Sequence, residues 1–324
     1  MERRLKMVTD GRVVALLLAL SVTTLQAGVV VESVRAPGDT ALSGIASVGD
    51  GTYWAVDDSG VIVKGRIDVD ADPTAAQRIS WVRIDRFRCL GIDDPEGVAY
   101  DRADGTLWIA DETGPEIWHV DPKRMASVGK VALPPVYRTI EKNRGIEALA
   151  IGNDGLTLWT ANEDVLPGDE GSGCVRLQRF SRASVTNDWT ASGQWAYPLT
   201  VPQKVKKVKK RNGLAELCFT RSGELLGLER EKARVKGSDE VIEFRLRIFR
   251  VELDGATDVS AAAALRPGAF TPVKKVPLFE RATGKAMYEA IGRGPRLQDG
   301  KDSYVLVSDG DKGCDEKVMV LTLP

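Results

Sequence analysis

The sequence predicts an all-β fold: a β-propeller of four-stranded blades, with five blades counted, six left possible, and the ring closed by an N-terminal strand. Three observations carry this. A hairpin grammar stands out at Glu96-Gly97-Val98-Ala99-Tyr100, Asp104-Gly105 and Thr106-Leu107-Trp108-Ile109-Ala110, ended by Asp111-Glu112. Two short strand-like runs flank a dipeptide that readily adopts the positive φ of a tight hairpin turn. The grammar returns four more times, the first three copies at roughly 50-residue spacing, close to the length of a four-stranded propeller repeat, and the later ones further apart across insertions. The last copy has only three strand runs, while a β-branched run at 29–34 stands ahead of the first copy with no hairpin of its own. Pairing the two closes the ring and leaves no open sheet edge.

In chain order, the first hairpin covers 42–46, Asp50-Gly51 and 52–56, with outer strands expected at 61–67 and 78–84. The second is followed by 116–120 and 127–133. The third joins 145–150 to 158–161 through Asp154-Gly155 and continues at 175–180 and 194–199. The fourth joins 213–217 to 225–228 through Ser222-Gly223, then reaches 244–253 and 273–279 past insertions at 231–240 and 255–267. The fifth joins 288–291 to 304–308 through Asp299-Gly300 and ends with 317–323. A helical turn or two is expected in the Ala-rich piece at 255–265. Trp54, Trp108 and Trp159, with Leu226 and Leu306 at the corresponding places, are expected to pack between blades.

Ahead of the repeats, Arg3, Arg4, Lys6 and Arg12 precede an apolar run at 13–22 that closes on Thr23-Thr24-Leu25-Gln26-Ala27. This order predicts a secretory signal peptide over 1–27, with export to the periplasm or the exterior and one domain over 28–324. The apolar run is about half the roughly 20 residues of a spanning helix, so no stable membrane insertion is expected after processing. The chain carries 45 Lys+Arg against 46 Asp+Glu, a balance that suggests neither nucleic acid nor an anionic membrane as partner. A monomer acting on a small ester or another small ligand is the expectation. Cys89, Cys174, Cys218 and Cys314 would meet an oxidising compartment, where a Cys89–Cys174 bridge is permitted.

The innermost strand of a blade lines the central channel, and the repeat places Ser43, Glu96, Glu147, Glu216 and Glu289 at one blade position. Four carboxylates in a ring repel one another unless a cation offsets them. Calcium, which takes six to eight oxygen ligands in irregular geometry, suits Glu96, Glu147, Glu216 and Glu289 as ligands. The alternative is that these side chains cap strand amides or pair with Lys142, Arg144 and Arg230. A second acidic place recurs at Asp57-Asp58, Asp111-Glu112, Asn162-Glu163, Glu229 and Asp309. The one strong basic run, Lys204 to Arg211, reads as a solvated edge or, at the channel mouth, as a receiver of phosphate esters. The single histidine, His119, excludes a histidine metal cluster, and no nucleophile elbow, phosphate-cradling loop or dinucleotide fingerprint occurs.

Asp94-Pro95-Glu96-Gly97-Val98-Ala99, Asn143-Arg144-Gly145-Ile146-Glu147-Ala148-Leu149, Glu229-Arg230-Glu231 and Tyr288-Glu289-Ala290 appear in the order of a known family. Over 40–324 the chain resembles the phytase-like family described as having esterase-like activity, itself similar to the alkaline β-propeller phytases. The resemblance implies hydrolysis of phosphate or carboxylic esters at the channel mouth, with calcium held by Glu96, Glu147, Glu216 and Glu289 and substrate contacts from Arg144 and Lys142. The family's Gly after the Glu is kept at Gly97 and replaced by Ala148, Leu217 and Ala290.

Overall fold

A computed structural model describes residues 28–34, 42–49, 51–69, 79–140, 144–297, 300–310 and 314–324. The expected signal peptide, Asp50, Lys142 and Asp299 lie outside the described residues. The described chain forms five four-stranded antiparallel sheets. Blade one holds β2 (Leu42–Gly49), β3 (Thr52–Asp57), β4 (Val61–Val69) and β5 (Ile79–Arg88); blade two holds β6 (Pro95–Asp101), β7 (Thr106–Asp111), β8 (Glu116–Asp121) and β9 (Ala126–Val131). Blade three holds β10 (Ile146–Ile151), β11 (Thr157–Asn162), β12 (Cys174–Ser181) and β13 (Thr190–Pro198). Blade four holds β14 (Val208–Phe219), β15 (Leu225–Val235), β16 (Val241–Glu252) and β17 (Lys274–Gly284). Blade five runs β18 (Met287–Arg293), β19 (Tyr304–Asp309) and β20 (Lys317–Thr322), and β1 (Gly28–Val34) pairs with β20 as its fourth strand. The expected five-blade count and the N-terminal closure both hold.

Each innermost strand, β2, β6, β10, β14 and β18, contacts the next around the ring, and β18 contacts β2. The spacing between these strands is set by small residues. A Cβ on Gly44 would come within 2.5 Å of the Glu96 carbonyl, and one on Gly97 within 2.2 Å of the Glu147 carbonyl. Glycine stands there because the next blade's backbone fills the space a side chain would need.

The apolar residues sort into five layers, one per blade junction. Trp54 lies with Val98, Leu107 and Ile109 between blades one and two, and Trp108 with Leu149, Leu158 and Phe180 between two and three. Trp159 lies with Leu214, Leu217 and Leu225 between three and four, and Leu226 with Tyr288, Ile291 and Leu306 between four and five. In blade five the residue in register with the tryptophans is Val305, opposite Gly292, and it packs against blade one. Leu306, expected in that place, faces blade four instead. Burial of this kind, on the order of 1.5–3 kcal/mol per large side chain, is what holds the blades in a ring.

Two local expectations are corrected. Cys89 and Cys174 are both free thiols: Cys89 is buried between blades one and two, and Cys174 packs against Ala196, Val259 and Leu265. The two sulfurs belong to separate cores, so the Cys89–Cys174 bridge is not formed. The Ala-rich piece forms turns rather than helix, and the one helical segment among the described residues is a 3-10 turn at Pro135–Thr139. Blade four also departs from the repeat, since its strands run 11 to 12 residues where the inner strands of blades two and three have 6 or 7. What reads as an insertion at 231–240 is the prolongation of β15 and its turn into β16.

Candidate functional site at the channel mouth

Every inner hairpin carries a β-bulge near its start, and the bulge decides which side chains reach the channel mouth. In blade three Ile146 pairs with Asn162 and Ala148 with Ala161, leaving Glu147 as the extra residue. The same count leaves Ser43, Glu96 and Glu289 as the extra residues in blades one, two and five. An extra residue bends its strand and re-aims its own side chain. In blade four Leu214 pairs with Glu229 and Glu216 with Leu228, so the extra residue is Ala215. Glu216 therefore stands where Gly44 and Gly97 stand in their blades, one residue deeper in the channel.

The second recurrent place is sorted by the same register. The residue after the one paired ahead of the bulge is Asp58, Glu112, Glu163, Arg230 and Asp309 around the ring. Ser43, Glu96, Glu147, Glu289 and these five residues line one cavity of 690 Å³. Blade four thus presents Ala215 and Arg230 where the other blades present a hydroxyl or carboxylate and an acid. Its long strands add Arg211, Lys232 and Arg234 to the same cavity. The mouth has an acidic wall from four blades and a basic wall from one.

Arg230 is the ring's own counter-charge. Its guanidinium donates to Glu163 Oε1 at 2.5 Å and to the Glu289 carboxylate. Burial works against its charge, but Glu163, Glu147 and Glu96 together raise its pKa. Arg211 donates to the other oxygen of Glu163 and lies 3.3 Å from Asp164. Glu163 is held between two arginines, and Glu289 by one.

The carboxylates on the far side of the ring are less well compensated. Ligand oxygens of Asp94, Glu96 and Glu112 all lie within 4.8 Å of one another. Burial pushes Glu96 well above the usual carboxylate range, and Glu112, Asp94 and Asp58 add to this against the opposing pull of Arg230. Burial likewise raises Glu112, although Gly145 N–H donates to its Oε1 at 2.9 Å and favours the charged form. Glu147 is raised well above the usual range by burial and by Glu163. Three crowded oxygen donors with no imidazole or thiolate among them fit a hard divalent cation such as calcium.

Of the residues singled out in the sequence, Glu96, Glu147 and Glu289 line this cavity, with Glu96 alone in the tight carboxylate group. Glu216 is buried below it; its Oε1 accepts from Leu149 N at 2.8 Å and Leu217 N at 2.9 Å. Arg144 lies outside the cavity lining, 4.0 Å from Asp164, and Lys142 is outside the described residues. The basic run divides: Lys204, Lys206 and Lys207 are exposed, and Arg211, at its end, reaches the cavity. The sequence places Asp111-Glu112 at a recurrent acidic place and offers Arg230 as a partner of the glutamates, but it does not bring Asp94 and Glu112 together with Glu96; Glu229-Arg230 falls on the same two places as Asp111-Glu112 and Asn162-Glu163.

Burial raises Glu216 well above its ordinary pKa, and its Oε2 is buried without a hydrogen-bond partner. A carboxyl whose folded pKa is raised contributes stability fully below its unfolded pKa and loses it as pH rises through the folded value. Glu216→Gln keeps the Oε1 acceptor for both amides and has no proton to lose. Its melting temperature is expected to match the parent near pH 5 and to exceed it by several degrees near pH 8; equal melting temperatures at both would refute the assignment.

The profile of the family described as "Phytase-like: Esterase-like activity of phytase" matches residues 39–312. No curated protein matches the chain. Among solved structures, hydrazine synthase of Kuenenia stuttgartiensis is similar at 12% identity and a TM-score of 0.34, covering 90% of this chain, which spans 60% of that one. The WD40 β-propeller domain of Doa1 is similar at 8% identity and a TM-score of 0.36, covering 92% of this chain and 97% of that one. At these scores neither likeness bears on function.

Proposed function

Since the chain belongs to the phytase-like family, we propose that it is an exported, calcium-dependent hydrolase of phosphate or carboxylic esters, with its site at the two-walled channel mouth. The observation that carries this reading is the charge division of one 690 Å³ cavity, acids from blades one, two, three and five facing Arg211, Arg230, Lys232 and Arg234 of blade four, whose one acid in the lining, Asp239, pairs with Arg234 at 3.1 Å. Asp94, Glu96 and Glu112 would hold the cation. Bound there, it would supply Lewis-acid polarisation of the ester oxygen and a more acidic bound water. Everything else is the work of the chain's own groups.

Arg211, Lys232 and Arg234 face the acids and are placed to receive the anionic oxygens of a phosphate ester. Lys232 keeps a lowered pKa through burial and through its neighbours Arg230 and Arg234, a crowding of positive charge that an incoming anion relieves. Arg230, locked between Glu163 and Glu289, holds the two walls at fixed separation. The basic, apolar and small-residue order at 1–27 supports export to the periplasm or exterior.

A second reading has its own support. Arg230 already neutralises part of the acid ring, as it would in a non-catalytic propeller that only binds a ligand or protein partner at this mouth. The two separate on turnover. The purified protein, assayed on phytate, p-nitrophenyl phosphate and p-nitrophenyl acetate, is expected to cleave at least one with calcium and to lose that activity in EGTA. No turnover of any of the three, together with no calcium-induced rise in melting temperature, would leave only the binding reading.

A further inference from the structure

The inner strands end, away from the acid ring, in a second cavity of 560 Å³. Its floor is one apolar residue from each blade in matching register, Ile45, Val98, Leu149, Leu217 and Ile291, all buried. Its rim carries three arginines: Arg102 from blade two, Arg221 from blade four and Arg293 from blade five.

Arg102 and Arg293 are oriented by uncharged acceptors of neighbouring blades, and Arg221 by a carbonyl and one acid. Arg102 donates to the carbonyls of Val48 at 2.5 Å and Ser47 at 3.1 Å in blade one. Arg293 donates to the Phe219 carbonyl at 2.6 Å in blade four and to Asn153 Oδ1 in blade three. Arg221 donates to the Gly294 carbonyl at 2.7 Å and to Asp302 at 2.9 Å. Among the described residues, Arg102 and Arg293 have no carboxylate partner. Of the acids lining the cavity, Asp101 pairs with the buried Arg182 at 2.7 Å, and Asp154 is exposed to water and accepts from Leu156 N at 2.9 Å.

From this arrangement we infer that the far mouth binds a small organic oxyanion with an apolar body, its charged end between Arg102, Arg221 and Arg293 and its body on the five-residue apolar floor. The volume is that of an ordinary small-molecule pocket, roughly 300–1,000 Å³. Carbonyl-anchored guanidiniums present their remaining N–H groups in fixed directions, which suits carboxylate or phosphate oxygens. Burial lowers the pKa of Arg293, and the charges of Arg102 and Arg221 lower it further, a strain that a bound anion would relieve.

Benzoate and phenyl phosphate are the probes, the first reporting a carboxylate and the second a phosphate monoester. Titrated calorimetrically into the full chain in EGTA, at least one is expected to bind saturably, with affinity falling as salt rises. Arg293→Met and Arg102→Gln should each weaken it roughly tenfold or more, as loss of a charged hydrogen bond implies. The better probe names the anion. Should a variant fail to fold, phenylglyoxal labelling of the parent serves: the probe is expected to slow modification of Arg102 and Arg293 relative to Arg83. Absence of saturable binding by both probes, binding unchanged in the variants, or labelling unaffected by the probe would each overturn the inference. Hydrolysis at the acidic mouth is measured separately with calcium, so the two assignments fail independently.

Discussion

Asp169→Ala is expected to cost about 3–5 kcal/mol of folding stability, the range for removing one partner of a buried ion pair. Arg176 is wholly buried in blade three, and its Nε and Nη2 donate to the two oxygens of Asp169 at 2.7 and 3.0 Å. The same guanidinium donates through Nη1 to Gln194 Oε1 at 2.7 Å and to the Ala262 carbonyl at 3.0 Å. Asp169 also accepts from Leu265 N at 2.6 Å. One ion pair therefore fastens the segment between β16 and β17 onto the outer strands of blade three. Without the carboxylate, an unpaired cation is left where water cannot reach it. Denaturant unfolding should show the loss in full for Asp169→Ala and a smaller one for Asp169→Asn, which keeps an acceptor. A loss under 1 kcal/mol for Asp169→Ala would mean that water enters this part of the blade.

The ring was legible because hairpin, turn and spacing are local features that repeat. The closing strand was legible for the same reason, since a strand run left over at 29–34 matched one missing at the other end. Register in blade four was not. The stretch Leu214-Ala215-Glu216-Leu217 offers the same apolar pattern whichever residue the bulge inserts, and matching acid to acid placed Glu216 with Glu147. Pairing across β14 and β15 places Ala215 there instead. That one-residue difference turns a supposed ring of four glutamates into an asymmetric mouth. Arg230 was legible as a pairing partner of the glutamates, a pairing it makes with Glu289, but its standing at the acidic place of blade four shows only once the bulge aligns it. The basic wall depends on how far β14 and β15 extend beyond the repeat, which no periodicity encodes. Burial of Cys89 and Cys174 in separate cores is equally invisible to spacing.

Arg230→Met tests whether that asymmetry holds the mouth together. The guanidinium is largely buried, bonded to Glu163 and Glu289, and it lowers the pKa of both Glu96 and Glu147. Methionine keeps much of the volume and none of the charge, so the acids that remain lose the cation facing them while Arg211 still reaches Glu163. The expected cost in EGTA is about 3–5 kcal/mol, as for any buried pair broken from one side. If the acids at Asp94, Glu96 and Glu112 take a divalent cation, calcium should restore more melting temperature to Arg230→Met than it adds to the parent, because binding to the folded state alone stabilises by mass action. Sodium at equal ionic strength should not. A loss of stability that calcium leaves untouched would place the need for charge at Glu163 and Glu289 alone, and would detach the basic wall's structural role from any cation held across the channel. Equal stability of the variant and the parent would show that the carboxylates around Arg230 meet the change by taking up protons.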